Sequence, residues 1–434
     1  MMMIRRLIIV SLLIPSFAFG QTPSEGVPVV TLAEARRRSV SIDPDAVAAR
    51  SNVDKASWEK RSAFTNLITP NVKYNATYTH LSAPFFNFGT GGVSPNATSA
   101  TLDASYSILG FGKFGTLKRS RASLESAEAN ETVARFGSAL ETDAAYFAVL
   151  ADRELSRVAA DRLKRAEEAL QFARVRVAAG ESVSSDSLQL LLEVSRARLA
   201  ILSMDSSLTA SRMRLGRRIG LMGPADAAPV DSALPPALPM TQEQAIQEMR
   251  TKGPDVTAAR ANEKSADASV MAERERYLPE VSIGGTVGRY DTEFFPSALK
   301  RSQYIISVGI PIWNGGMREF AVARARADRS VASAMRMDME RAAGEVMAQA
   351  YHGYLTARAG IDLALIGVAA ATENYRVQNA RYREGATTIL DLLAAQVSLS
   401  EAQAALIRSR FASRLSLAQI EALLGRRIFE TPGN

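Results

Sequence analysis

The sequence predicts an α+β membrane protein in which a β-barrel shared between chains is continued by very long helices. Three observations carry this. Four segments of about ten residues alternate apolar and polar side chains with period two, as in a membrane barrel with a wet lumen. Two uninterrupted helical patterns run far beyond the length of a globular helix. The second half of the chain also rewrites the first, at an offset of about 205–210 residues.

Composition narrows the chemistry before any element is placed. The 434 residues are 47% apolar and 22% charged, with no cysteine and only two histidines. Those counts exclude a disulfide scaffold, a thiolate zinc site and a cysteine nucleophile, and they leave little for a histidine-based site. The formal net charge is +7. Basic and acidic residues interleave, however, as in Asp152-Arg153-Glu154, which marks solvated helix surface and not a nucleic-acid patch. No acid–base–nucleophile cluster emerges, so the expectation is a non-enzyme without cofactor, metal or nucleic-acid partner.

Residues 1–20 read as a secretory signal. Arg5-Arg6 precede an apolar stretch from Leu7 to Phe19, and Ala18 and Gly20 supply small residues before Gln21. An uncleaved anchor is the alternative, but the apolar core is short for a span, which needs ~20 residues. No later stretch reaches that length without a charge.

The first repeat is placed at 21–222, a connector at 223–240, the second repeat at 241–428 and a tail at 429–434. Leu215-Gly-Arg-Arg-Ile219 returns as Leu424-Gly-Arg-Arg-Ile428, and Ala173-Arg-Val-Arg176 as Ala380-Arg-Tyr-Arg383. Asp45 to Arg50 returns as Asp255 to Arg260, and Tyr146 answers to Tyr351. Five prolines between Gly223 and Pro239 mark the connector.

Each half has one grammar. A helix pattern (Ala33–Leu67; Gln242–Tyr277) ends at a proline, and two alternating segments follow. In the first half Val72, Tyr74, Ala76 and Tyr78, then Ala100, Leu102, Ala104, Tyr106 and Ile108, mark the apolar face. In the second half Val281, Ile283, Gly285 and Val287, then Tyr304, Ile306, Val308 and Ile310, do the same. A long helix comes next (about 115–178; about 317–384), then a glycine turn and a last helix (about 184–219; about 387–424). The first long helix pattern, of roughly 64 residues, would span about 95 Å. Apolar positions at 3-4 spacing, such as Leu163, Ala166, Leu170, Ala173 and Val177, form a coiled-coil seam. Four strands cannot close a membrane barrel, because lipid-exposed edges leave backbone groups unpaired. Two copies supply eight strands, three twelve and four sixteen; only the larger two leave an opening, and spacing does not choose between them. A soluble sheet packed on the helices is the competing reading.

This plan, with the tip segments Ala179-Gly180 to Asp186 and Tyr382 to Asp391, resembles the TolC-like outer-membrane efflux proteins over essentially all of the mature chain. The resemblance implies a homotrimer: a 12-stranded barrel in outer-membrane lipid, continued into the periplasm by a helical tunnel. It implies a passive exit duct of a tripartite efflux or type I secretion system, docked to a periplasmic adaptor and an inner-membrane pump. It also implies a periplasmic gate. Asp391 matches a carboxylate that forms a constricting ring, and Asp186 and Tyr382 match positions that hydrogen-bond between coils in the closed state. Thr387 stands where an arginine can act as a latch, and Ala394 where a second acidic ring can occur. The alternative from another class is a structural periplasmic coiled-coil protein without transport activity.

Other motifs carry less. Gly110-Phe-Gly112-Lys-Phe-Gly115 spells a dinucleotide fingerprint, but a phosphate-binding unit needs another strand within about 30 residues. Its glycines are expected to turn the chain from barrel into tunnel, as Gly315-Gly316 do in the second half. His80 and His352 match no ligand spacing and read as structural. Phe85, Phe86, Phe88, Phe294 and Phe295 are expected in loops at the headgroup level. The arginine pairs Arg217-Arg218 and Arg426-Arg427 are expected to complement helix C-termini.

Overall fold

The computed structural model describes residues 26–87, 91–230, 236–296 and 299–429. The signal segment, Phe88, part of the connector and all of the tail beyond Phe429 lie outside the described residues. The element order is β1 (Val29–Val30), α1 (Leu32–Ile42), α2 (Pro44–Ile68), β2 (Asn71–Asn87), β3 (Gly92–Gly110), α3 (Phe111–Ala178) and α4 (Ser184–Arg218) in the first half. The second half gives β4 (Asp226–Ala227), α5 (Gln242–Lys252), α6 (Pro254–Glu275), β5 (Glu280–Asp291), β6 (Leu299–Gly309), α7 (Met317–Arg383) and α8 (Ile389–Leu424).

The strand and helix grammar appears in both halves, with two corrections. The helix pattern expected unbroken over Ala33–Leu67 is split at Asp43-Pro44, and that over Gln242–Tyr277 at Gly253-Pro254. Each proline takes the first helical position, where its missing N–H is no loss. Asp43 caps the break by accepting from the Asp45 N–H at 3.1 Å. At the barrel–helix junction, β3 passes straight into α3 at Gly110, whereas Gly315 and Gly316 turn the chain with φ of 73° and 80°. Gly115 lies inside α3, where a Cβ would sit 2.8 Å from the Cα of Ala272. It serves close helix packing instead of a turn.

The main sheet has the order β2-β3-β5-β6, antiparallel throughout, so β2 and β6 are open edges. Its register aligns apolar rows on one face. Val72, Ala104, Gly285 and Tyr304 form one row, and Tyr74, Leu102 and Val287 run in the next with Ser302. The opposite face pairs Lys73, Asp103, Thr286 and Gln303. There the Asp103 carboxylate accepts from Asn75 (2.7 Å), Thr101 (3.0 Å) and Thr286 (2.6 Å), clasping three strands. Phe85 and Phe86, expected in a loop, extend β2 instead. His80 pairs with Asn96 at 2.7 Å within the sheet.

The long helices span 68 and 67 residues, about 100 Å each. α7 packs beside α6 and α8 and carries an 18-residue stretch apolar enough to cross a membrane by composition, most of which this one chain leaves uncovered. Three apolar clusters order the helical body. One gathers Val30, Tyr146, Val149, Leu215 and Ala227, and another Met249, Val256, Met347, Tyr354 and Ile420. The third, at the tip, draws Ala166, Ala173, Leu190, Tyr382 and Leu392 from both halves. Fully buried alanines (Ala166, Ala173, Ala197) let the coils approach closely.

The connector is held from both sides. β4 pairs parallel with β1, a small sheet the sequence reading did not anticipate. Tyr146 donates to the carbonyl of Ala228 at 2.8 Å, and Tyr354 to that of Pro236 at 2.6 Å. The paired arginines reach further than their own helix ends. Arg218 bridges Asp43 and Glu141, and Arg426 bridges Glu248. Arg427 and Arg36 both approach the fully buried Asp143, tying α8 and α1 to α3.

Candidate functional site

The end of the helical body farthest from the sheet is built from two equivalent turns. After α3, Gly180 adopts φ 76° and the Glu181 N–H donates to the Arg176 carbonyl at 2.9 Å. After α7, Gly385 adopts φ 77° and the Ala386 N–H donates to the Arg381 carbonyl at 2.8 Å. This six-to-one closure with a left-handed glycine satisfies carbonyls that the helix end leaves orphaned. The geometry makes Arg176 the counterpart of Arg381, and Asp186 that of Asp391. The sequence match had paired Arg174 with Arg381, two residues out of step.

Both aspartates sit in the first turn of the following helix and are held alike. Ser182 Oγ donates to Asp186 at 2.6 Å, and Thr387 Oγ1 to Asp391 at 2.8 Å. α8 adds a capping box: the Asp391 N–H donates to Thr388 Oγ1, while Asp391 Oδ2 accepts from the Thr388 N–H at 3.2 Å. The hydrogen bonds from Thr388 and Thr387 hold the exposed Asp391 carboxyl below the usual carboxylate range, with Arg381 adding a smaller pull. Thr387 thus fixes the Asp391 carboxylate.

Tyr382 is buried, its ring set edge to face with that of Phe172 at a centroid distance of 6.2 Å. Burial pushes its phenol pKa up, and the charge of Asp186 adds to the effect. Its hydroxyl has no hydrogen-bond partner among the described residues, and Asp186 accepts from Ser182 instead. The expected Asp186–Tyr382 hydrogen bond is therefore not made within this one chain.

Two tip residues escaped the sequence reading. Arg176 donates to the carbonyl of Tyr382 at 3.0 Å and so joins the first hairpin to the second. The repeated Ala-Arg-x-Arg segment held that signal, but only the turn geometry says which arginine crosses over. The second is Glu401. On α8 the exposed residues Asp391, Ala394, Ser398, Glu401, Ala405, Arg408 and Ala412 recur at 3-4 spacing and form one small, polar stripe. Glu401 lies ten residues beyond Asp391, about 15 Å along the helix. The outward stripe of α4 has the opposite character, with Leu188, Leu192, Leu199, Leu202 and Met213 exposed.

Residues 35–221 and 245–426 match the outer membrane efflux protein family. A pyoverdine export outer membrane protein, OpmQ, of Pseudomonas putida is 26% identical over 338 residues, which is 74% of this chain and 68% of that protein. The nickel-cobalt-cadmium resistance protein NccC of Alcaligenes xylosoxydans is 27% identical over 67% of this chain and 65% of its own length. The aligned part thus spans about two thirds of these relatives. Among solved structures, the CmeC outer membrane channel of Campylobacter jejuni superposes with a TM-score of 0.79 at 17% identity, covering 92% of this chain and 87% of that one. The open-state MtrE outer membrane channel of Neisseria gonorrhoeae gives 0.73 at 21% identity, covering 92% and 91%. Matched over most of the described chain, helices and four-stranded sheet alike, this protein belongs to the outer membrane efflux protein family.

Proposed function

We propose that three copies of this outer-membrane efflux protein close a twelve-stranded barrel in the outer membrane and continue it as a periplasmic helical tunnel. The assembly is a passive exit duct, docked to a periplasmic adaptor and an inner-membrane pump that supplies the energy. The observation that carries this reading is the four-stranded sheet. It has one apolar face, one polar face and two open edges. Tyr304 and Ile306 on its apolar face are 81% and 73% exposed, uncovered by any helix of the chain. A soluble sheet would bury that face, which disfavours a structural envelope protein. A lone chain in lipid would leave both edges unpaired at several kcal/mol per backbone group.

Within that duct the small, polar stripe of α8 lines the water path, and the leucine stripe of α4 is covered by the neighbouring copy. Three Asp391 side chains ring the periplasmic entrance and attract cations, as charged rings do in channels. Asp186, Tyr382 and Thr387 set how tightly the ring closes: Thr387 holds Asp391, and the buried hydroxyl of Tyr382 awaits a partner from repositioned coils. The relatives are named for pyoverdine in one case and for nickel, cobalt and cadmium in another. That range fits a duct that leaves cargo choice to the pump, without catalytic chemistry of its own. Mass measurement in mild detergent should give a trimer, and planar-bilayer recording a cation-preferring conductance. A stable folded monomer in lipid, or a properly assembled trimer without conductance, would defeat the proposal.

A further inference from the structure

The sheet register places two cations side by side on the apolar face. Arg289 of β5 stands directly opposite Lys300 of β6, and the same row runs on through Ala100 and Ala76. Residues directly opposite share a face, with Cβ atoms about 5 Å apart, and like charges so placed repel. Both side chains are exposed, and neither forms an ion pair or hydrogen bond among the described residues. The acidic neighbour on that face, Asp291, turns its Oδ1 to the backbone N–H groups of Thr292 (2.7 Å) and Glu293 (3.4 Å).

The level of the pair along the strands is informative. Toward the helices, successive rows on this face are apolar: Leu102 with Val287, Ala104 with Gly285 and Tyr304, then Tyr106 with Ile283 and Ile306. Away from the helices comes the row of Tyr78, Thr98 and Asp291. Thr98 is buried, and its hydroxyl is without a partner among the described residues. Beyond it Phe294 and Phe295 stack edge to face, with Phe294 5.8 Å from the ring of Tyr78. Exposed aromatic residues at this position mark the membrane–water interface. The end opposite the helices is the outer one, so the cation pair lies where the apolar band gives way to the outer-leaflet headgroups.

We infer that Arg289 and Lys300 form a site on the outside of the barrel for a phosphate group of an outer-leaflet glycolipid. A phosphate monoester carries nearly two negative charges and accepts the forked guanidinium and the ammonium together, which turns a repulsive pair into an attractive triad. The alanines at 76 and 100 leave the adjoining surface open to the sugar and acyl portions. The inference rests on the proposed lipid-facing assignment of this face.

The test uses the assembled protein in non-ionic detergent, titrated with lipid A and read by native mass spectrometry. The wild type should retain lipid A at up to one copy per chain. Arg289→Gln with Lys300→Gln should weaken retention by about tenfold or more, the loss expected for charge-assisted contacts. Lys300→Glu replaces the repulsion with a cross-strand ion pair. It should assemble at least as well as the wild type yet lose lipid A, which separates binding from folding. Inorganic phosphate at millimolar concentration should not compete. Equal retention by all three proteins, or inorganic phosphate displacing lipid A, would overturn the inference. Conductance of the same preparations decides which reading fails: lost lipid selectivity with conductance intact sinks this site alone, whereas absence of trimers sinks the duct.

Discussion

Leu102→Arg and Gln303→Arg place the same charge on opposite faces of one sheet, in neighbouring rows. Leu102 sits between Tyr74 and Val287 near the middle of β3, well inside the apolar band. An arginine facing lipid near the midplane of a barrel costs ~2–4 kcal/mol per chain, and about three times that per trimer. Gln303 belongs to the row of Lys73, Asp103 and Thr286 on the wet face. There an arginine keeps its hydration and gains the Asp103 carboxylate as a neighbour, so its cost should stay within about 1 kcal/mol. Folding into lipid vesicles under a urea titration, scored by the heat-resistant trimer band, measures both. Leu102→Arg should shift the midpoint strongly toward lower urea, and Gln303→Arg hardly at all. Equal damage from the two, or tolerance of both, would refute the two-faced reading on which the barrel rests.

Three further expectations follow from the helical body. Asp391→Ala should lower cation preference and multivalent-cation block in planar bilayers. Because Glu401 shares the exposed stripe of α8, Asp391→Ala with Glu401→Ala should remove markedly more than the single change, and equal effects would take Glu401 off the pore. The hydrogen bond from Arg426 holds Glu248 below the usual carboxylate range, against a smaller opposing effect of burial. A depressed folded pKa gives stability that is present above the unfolded value of about 4.5 and lost as pH falls through the folded one. Glu248→Gln should therefore flatten the acid limb of a thermal-denaturation pH profile and leave the neutral limb lower; an unchanged profile would show the clamp to be idle. In Gly216→Ala the new Cβ would meet the Gly223 carbonyl oxygen at 2.0 Å, a backbone atom that cannot swing aside. A loss of about 2–3 kcal/mol is expected, and a melting temperature equal to wild type would refute the contact.

The sequence made some features plain because one local rule governs them along their whole length. Period-two alternation placed Tyr74, Leu102, Ile283 and Ile306 on one face, and the register keeps them there. An unbroken 3-4 seam gave α3 and α7 to within a few residues. What was missed depends on which distant segment arrives at a given point. Pro44 and Pro254 begin new helices instead of lying inside one unbroken helix, since Asp43 and Gly253 are there to start them. The β1–β4 pair joins residues nearly two hundred apart through two bridges, too short for any periodicity. At the tip, Arg176 and Arg174 are both arginines in a repeated segment. Only the closure of the turn at Gly180 selects Arg176 as the one that crosses to Tyr382.

The repeated pentapeptide sits differently at the ends of α4 and α8. Leu215 to Arg218 is the last turn of α4, and the left-handed glycine that ends that helix is Gly220, with φ 79°. In the copy, α8 stops at Leu424 and Gly425 itself turns left-handed, with φ 69°. Counted from the tip glycines, the motif comes four residues later in α8 than in α4, close to one helical turn. Equivalent helices therefore leave the tip in step and reach the base out of step. Their outward faces differ in composition as well, leucine-rich on α4 and small or polar on α8. In the proposed duct the leucine face of α4 would meet the neighbouring chain while the polar face of α8 stays wet, a division that two identical hairpins would lack.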